Sequence, residues 1–268
     1  PYHLGYEASS DTTFTWFRVQ SGAQAGNGII AFVMYGDVGD MEPLQFAIGA
    51  DQLVPQYAYR GSTDFDSILN RINVIYEDTL LSTSGTYLGR VETYADSNNG
   101  TYRLQVLVDL IDSVDYNYRL MITASGRFDL WSANWLGYRN MLYQNLPTPA
   151  QYGEMSNYTL PDTKQSIVSA WACSDKVITV GNMTNRSTYT DVDNNVVILS
   201  GQTEGDIAAN SSRGPARTGS VKPEVTAPGD NTLTAGAFFQ LNNLLSNPNT
   251  RSRVGIGGMH HRAGGTSS

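Results

Sequence analysis

The chain has 268 residues, a length that suits one core and a second, smaller one, and its 40% hydrophobic and 10% aromatic content is that of a globular protein. A net charge of −8 excludes partners whose charge must be neutralised in bulk, nucleic acid and anionic membrane surfaces among them. The single cysteine, Cys173, excludes an internal disulfide framework and a multi-thiolate metal site, and reads as a small buried apolar residue. No apolar run of about eighteen residues is present to span a membrane. Pro1-Tyr2-His3-Leu4 has neither the charged nor the apolar region of a leader, as expected of a chain that begins inside a longer protein.

In chain order, the first half reads as β-structure. Thr12 to Gln20 is a β-branched and aromatic run, and Ile29 to Tyr35 is apolar nearly throughout, so that strand is expected to be covered on both faces. Asp66 to Glu77 fits helix and strand equally. Thr86 to Tyr94 is a further strand. From Thr101 to Asp112, Tyr102, Leu104, Val106, Val108 and Leu110 alternate with Arg103, Gln105 and Asp109, which predicts one core face and one solvent face. Asn117 to Ala124 repeats the pattern with Tyr118, Leu120 and Ile122 on one side, after a turn at Asp115 to Asn117. Short strands at this spacing predict a β-sandwich of jelly-roll type ending near Trp131.

After Trp131 the texture changes. Ser132 to Thr163 is loop-rich, with Pro147, Pro149 and Pro161, and reads as a crossing between domains. Lys176 to Gly181 and Lys222 to Ala227 fit short buried strands, and Ala237 to Ser246 has the spacing of a helix, as in part of an α/β domain. The fold class expected is therefore mixed and mainly β: a sandwich over 1–135, followed over 136–268 by part of an α/β domain. Sequons at Asn99, Asn157, Asn182, Asn185 and Asn210 matter only in a eukaryotic source.

Three segments occur in order: Ser211-Ser212-Arg213-Gly214-Pro215, Lys222-Pro223-Glu224-Val225-Thr226-Ala227-Pro228-Gly229 and Gly264-Gly265-Thr266-Ser267. Each is weak alone, and together they are highly specific. Over roughly Pro161 to Ser268 the chain resembles the C-terminal part of the subtilisin-like serine proteases, and Val177-Ile178-Thr179-Val180-Gly181 resembles the strand that precedes these blocks. The resemblance implies a parallel-sheet catalytic domain with Ser267 as nucleophile, supported by Gly265 and Thr266. The chemistry agrees, because a serine nucleophile needs a tight turn at a helix N-terminus, where backbone N–H groups and the helix dipole stabilise an oxyanion. Neighbouring glycines let the substrate and the catalytic histidine approach closely.

The family's mechanism also needs a histidine base and an orienting aspartate, both ahead of the serine in the chain. Neither block is here. The histidines are His3, His260 and His261, and the last two lie too near Ser267 in sequence to match; a metal site at His260-His261 is weaker than a solvated loop, because adjacent side chains diverge. Ala25-Gly26-Asn27-Gly28 imitates the family's oxyanion block, but Asn27-Gly28 between two β-runs is a hairpin signal, so the oxyanion asparagine is also expected upstream. Some bacterial subtilases carry a jelly-roll insertion between the oxyanion asparagine and the serine, and Pro1 to about Trp131 resembles one.

The function implied is a piece of a secreted or cell-surface bacterial endopeptidase that acts on extended polypeptide through an acyl-enzyme at Ser267, inactive alone. The other reading is a non-catalytic β-sandwich binding module on a pseudo-protease remnant. Neither requires a cofactor or a catalytic metal, and a structural calcium ion is compatible with both.

Overall fold

A computed structural model describes residues 3–8, 11–19, 29–110, 116–132, 139–162 and 164–265. The expected hairpin at Asn27-Gly28 lies outside them. The chain folds as two compact units, Pro1–Thr163 and Lys164–Ser268.

The first unit contains β1 (His3–Ala8), β2 (Thr13–Val19), β3 (Ile29–Asp37), β4 (Gln45–Gln52), β5 (Ala58–Ser62), β6 (Asp66–Ser67), β7 (Tyr76–Leu81), β8 (Tyr87–Asn98), β9 (Thr101–Leu110), β10 (Tyr116–Thr123), β11 (Gly126–Ser132) and β12 (Arg139–Met141). They pair antiparallel in two sheets, ordered β1-β11-β3-β9-β8-β7 and β12-β2-β10-β4-β5, with β6 on β4. Residues of both sheets join in one apolar core, Phe32, Met34, Leu104, Val106 and Phe128 from the first and Phe17, Phe46, Ile48 and Leu120 from the second. This unit is mainly β, as the alternating sequence predicts.

β9 follows that alternation residue by residue, with Tyr102, Leu104, Val106, Val108 and Leu110 buried. Two other strands depart from it in opposite directions. On β3, Ile30, Phe32 and Met34 face the core, but Val33 and Tyr35 stay half-exposed, so the apolar run is not covered on both faces. On β10 the second face is covered instead: Asn117, Arg119 and Met121 are buried as fully as Tyr118, Leu120 and Ile122. The cover is the proline-rich segment after β12. Leu142, Leu146, Tyr152, Met155 and Tyr158 pack on Phe14, Trp16, Ala47 and Met121 as a second apolar layer. Backbone bonds pin this segment to β2, from Leu142 N–H to Trp16 O at 2.9 Å and from Thr159 N–H to Phe14 O at 2.9 Å. Residues 139–162, read as a crossing, thus pack within the first unit, and the compact unit ends at Thr163 rather than near 135. The ambiguous stretch from Asp66 resolves into β6, a 3₁₀ turn at Ile68–Arg71 and the start of β7.

The second unit contains β13 (Val180–Thr184), β14 (Thr188–Thr190), β15 (Val196–Ile198), β16 (Val225–Asp230), β17 (Thr232–Ala235), α1 (Phe238–Ser246), α2 (Pro248–Arg251) and β18 (His260–Ala263). α1 lies where the helical spacing placed it. β13 and β16 pair in parallel, whereas β14 pairs β15 and β17 pairs β18 antiparallel. The two predicted strands start three to four residues late, and their valines and isoleucine are not what they bury: Val177, Ile178, Val180 and Val225 are all exposed, whereas Gly181, Asn182 and Thr184 of β13 are buried.

Candidate active site

The three sequence blocks converge on the β13–β16 ladder. Val180 stands beside Val225, Gly181 beside Thr226 and Asn182 beside Ala227. The first block enters through Ser211, whose Oγ accepts from the Asn182 backbone N–H at 2.9 Å, while Asn182 Nδ2 donates to Asn210 Oδ1 at 2.9 Å. Asn182 is buried, so its sequon is not a surface site. Arg213 exchanges backbone bonds with Ile167. Gly214 follows, and a Cβ there would collide with the Lys222 carbonyl, so the first block runs tight against the second.

The second block is anchored by a lysine that sequence reading did not single out. Lys222 is only 4% exposed, and a buried ammonium must be fully partnered. Its Nζ donates to Ser174 O and Val177 O, both at 2.8 Å, and to Glu224. Glu224 Oε2 also accepts from the Thr179 backbone N–H at 2.8 Å. The Lys222 hydrogen bond, followed by that from Thr179, holds the Glu224 carboxyl below its ordinary pKa. A Lys-x-Glu triplet is common in surface chains, so the short spacing gave no sign that the lysine points inward.

The serine block joins at the far end of β16. Gly265 N–H donates to Gly229 O at 2.9 Å, the next residue after Pro228. Gly265 has φ +150°, which a side chain would strain, and open space where a Cβ would stand. Thr266 and Ser267 lie outside the described residues. Of the candidate site residues, the structure therefore places Gly265, and places it against the second block.

The histidines lie on two strands, one in each unit. His3 is buried on β1, with Nε2 2.9 Å from Asp129 Oδ1 and its ring 4.9 Å from that of Trp131. His260 and His261 are neighbours on β18, where successive side chains take opposite faces, which argues against chelation by the pair. Among the described residues no three His, Cys, Asp or Glu side chains cluster as metal ligands.

Beside Gly264 opens a polar cavity of about 460 Å³, lined among others by Gln202, Asp230, Asn231, Arg253 and Arg262. None of these was singled out in sequence, because they come from four separated loops and strands with no common motif.

The model of the subtilase family matches residues 93–267, well over half of the chain. The chain belongs to the subtilase family, a family of serine proteases. No curated protein and no solved structure matches it.

Proposed function

We propose that this chain carries the nucleophile of a secreted subtilisin-like endopeptidase and that Ser267 is that nucleophile. The observation supporting this reading is the bond from Gly265 N–H to Gly229 O, which joins the serine block to blocks already assembled around β13 and β16. In the proposed reaction Ser267 Oγ attacks the scissile carbonyl of an extended polypeptide and gives its proton to a histidine. The tetrahedral oxyanion collapses to an acyl-enzyme as the amine leaves with that proton, and water then releases the acid. The histidine, its aspartate and the oxyanion asparagine come from outside these 268 residues, so the chain by itself does not turn over. Residues 1–135 form the core of a jelly-roll-like insertion between asparagine and serine.

Joined to a segment bearing the histidine and aspartate, the chain is expected to hydrolyse unfolded casein. Ser267→Ala is expected to lower kcat on the order of 10⁶-fold, the cost of removing a serine nucleophile. Hydrolysis undiminished in Ser267→Ala contradicts the reading.

A further inference from the structure

The cavity beside Gly264 has almost wholly polar walls and two arginines whose charge is not consumed by the fold. Elsewhere in the chain Arg71, Arg90, Arg103, Arg119 and Arg251 each hold a carboxylate. Among the described residues Arg253 and Arg262 have none within 4 Å, and they are neighbours, since Arg262 N–H donates to Arg253 O at 2.7 Å. A third donor accompanies them: Asn231 Nδ2 is buried and makes no hydrogen bond to the described residues. A buried, unpaired amide donor is costly, which favours an acceptor that arrives with a ligand.

The lining contains one carboxylate, Asp230. Its position is fixed against Gly264, where an added Cβ would lie 2.7 Å from Oδ1, and its backbone carbonyl accepts from Asn185 N–H at 2.9 Å. The balance of the lining is therefore two positive charges, one negative charge and an unsatisfied amide donor. Arginine forks of this kind bind carboxylates in bidentate fashion. The cavity also lies beside the serine block, because Gly264, in its lining, precedes the proposed nucleophile Ser267 by three residues in the chain.

We propose that Arg253, Arg262 and Asn231 form a carboxylate-selecting subsite, which makes polypeptides with Asp or Glu near the scissile bond the preferred substrates. The assignment rests on the reading of Ser267 as nucleophile, but binding at the subsite does not require that serine to react.

The test uses the 268-residue chain carrying Ser267→Ala, titrated by NMR with two end-blocked pentapeptides that differ only in a central Glu or Gln. The Glu peptide is expected to bind about tenfold more tightly, with shifts at Gly264 and Asn231, and raised salt is expected to shrink the difference. Arg253→Gln with Arg262→Gln is expected to abolish the preference while the far-UV circular dichroism is unchanged. If the double variant misfolds, Arg253→Gln alone, at an exposed position, is expected to reduce the preference severalfold. Equal affinities, a preference that survives in the variants, or no binding of either peptide overturns the subsite. Failure of the nucleophile reading is distinct: it shows as an unreactive Ser267 in the assembled protease, whichever peptide binds here.

Discussion

At the scale of single residues, the part of the site that can be tested without any substrate is the Lys222–Glu224 contact. Glu224 has its pKa lowered in the folded protein, first by Lys222 and then by Thr179. A carboxylate with a depressed folded pKa stabilises the fold above its unfolded pKa of about 4.3, and that contribution disappears as pH falls through the lowered value. Urea midpoints of the chain and of Glu224→Gln should therefore differ at pH 7 and converge below about pH 4. A gap that stays constant from pH 3 to 7 contradicts this role for the charge. The residues themselves were partly legible. Gly265, Ser211 and Gly214 stood out because they sit in short motifs, whereas Lys222 was visible only as a letter in one. Arg253, Arg262 and Asn231 gave no signal, since a site built from separated loops leaves no spacing to read.

At the scale of elements, alternation works where one face of a strand meets water and fails where a loop covers it. β9 was readable for that reason. β10 was not, because its polar positions are occupied by an internal network rather than by solvent. Arg119 Nε donates to Asp51 Oδ2 at 2.7 Å, Trp16 Nε1 donates to the same oxygen at 2.5 Å, and Tyr152 Oη donates to Asp51 Oδ1 at 3.0 Å. Burial pushes the Asp51 carboxyl up, opposed by the hydrogen bond and charge of Arg119 and then by Trp16 and Tyr152. In the sequence, Arg119 looks like a solvent-facing residue of an amphipathic strand. Its partner lies 68 positions away. Asp51→Ala leaves a buried guanidinium without its main counter-charge and is expected to cost about 3–5 kcal/mol in urea unfolding. A loss below about 1 kcal/mol, the range of exposed pairs, shows that water reaches the pair.

At the scale of the whole molecule, the change of texture at Trp131 was legible and the edge of the compact unit was not. Prolines and turn residues read as a linker, yet Leu142, Leu146, Tyr152, Met155 and Tyr158 supply the layer over β2 and β10. These apolar residues are spaced irregularly, so no period announces them. A fragment of residues 1–163 is expected to unfold cooperatively in urea, with dispersed NMR signals. A fragment of 1–135 exposes Phe14, Trp16 and Met121 and is expected to aggregate or lose cooperativity. Equal behaviour of the two fragments contradicts the covering role. The exposed Val180 of β13 and Val225 of β16 likewise defeated a reading by composition, because an apolar run announces a strand and not what lies against it.

The subtilase blocks come together around β16, and the central claim is that Ser267 is the residue they present. Fluorophosphonate labelling with peptide mapping tests this most directly. Joined to the segment that bears the histidine and aspartate, the chain is expected to carry one label, on Ser267, and none after Ser267→Ala; the 268 residues alone are expected to label no faster than an ordinary serine. A label on any other residue, or equal labelling of the Ser267→Ala variant, would contradict the account.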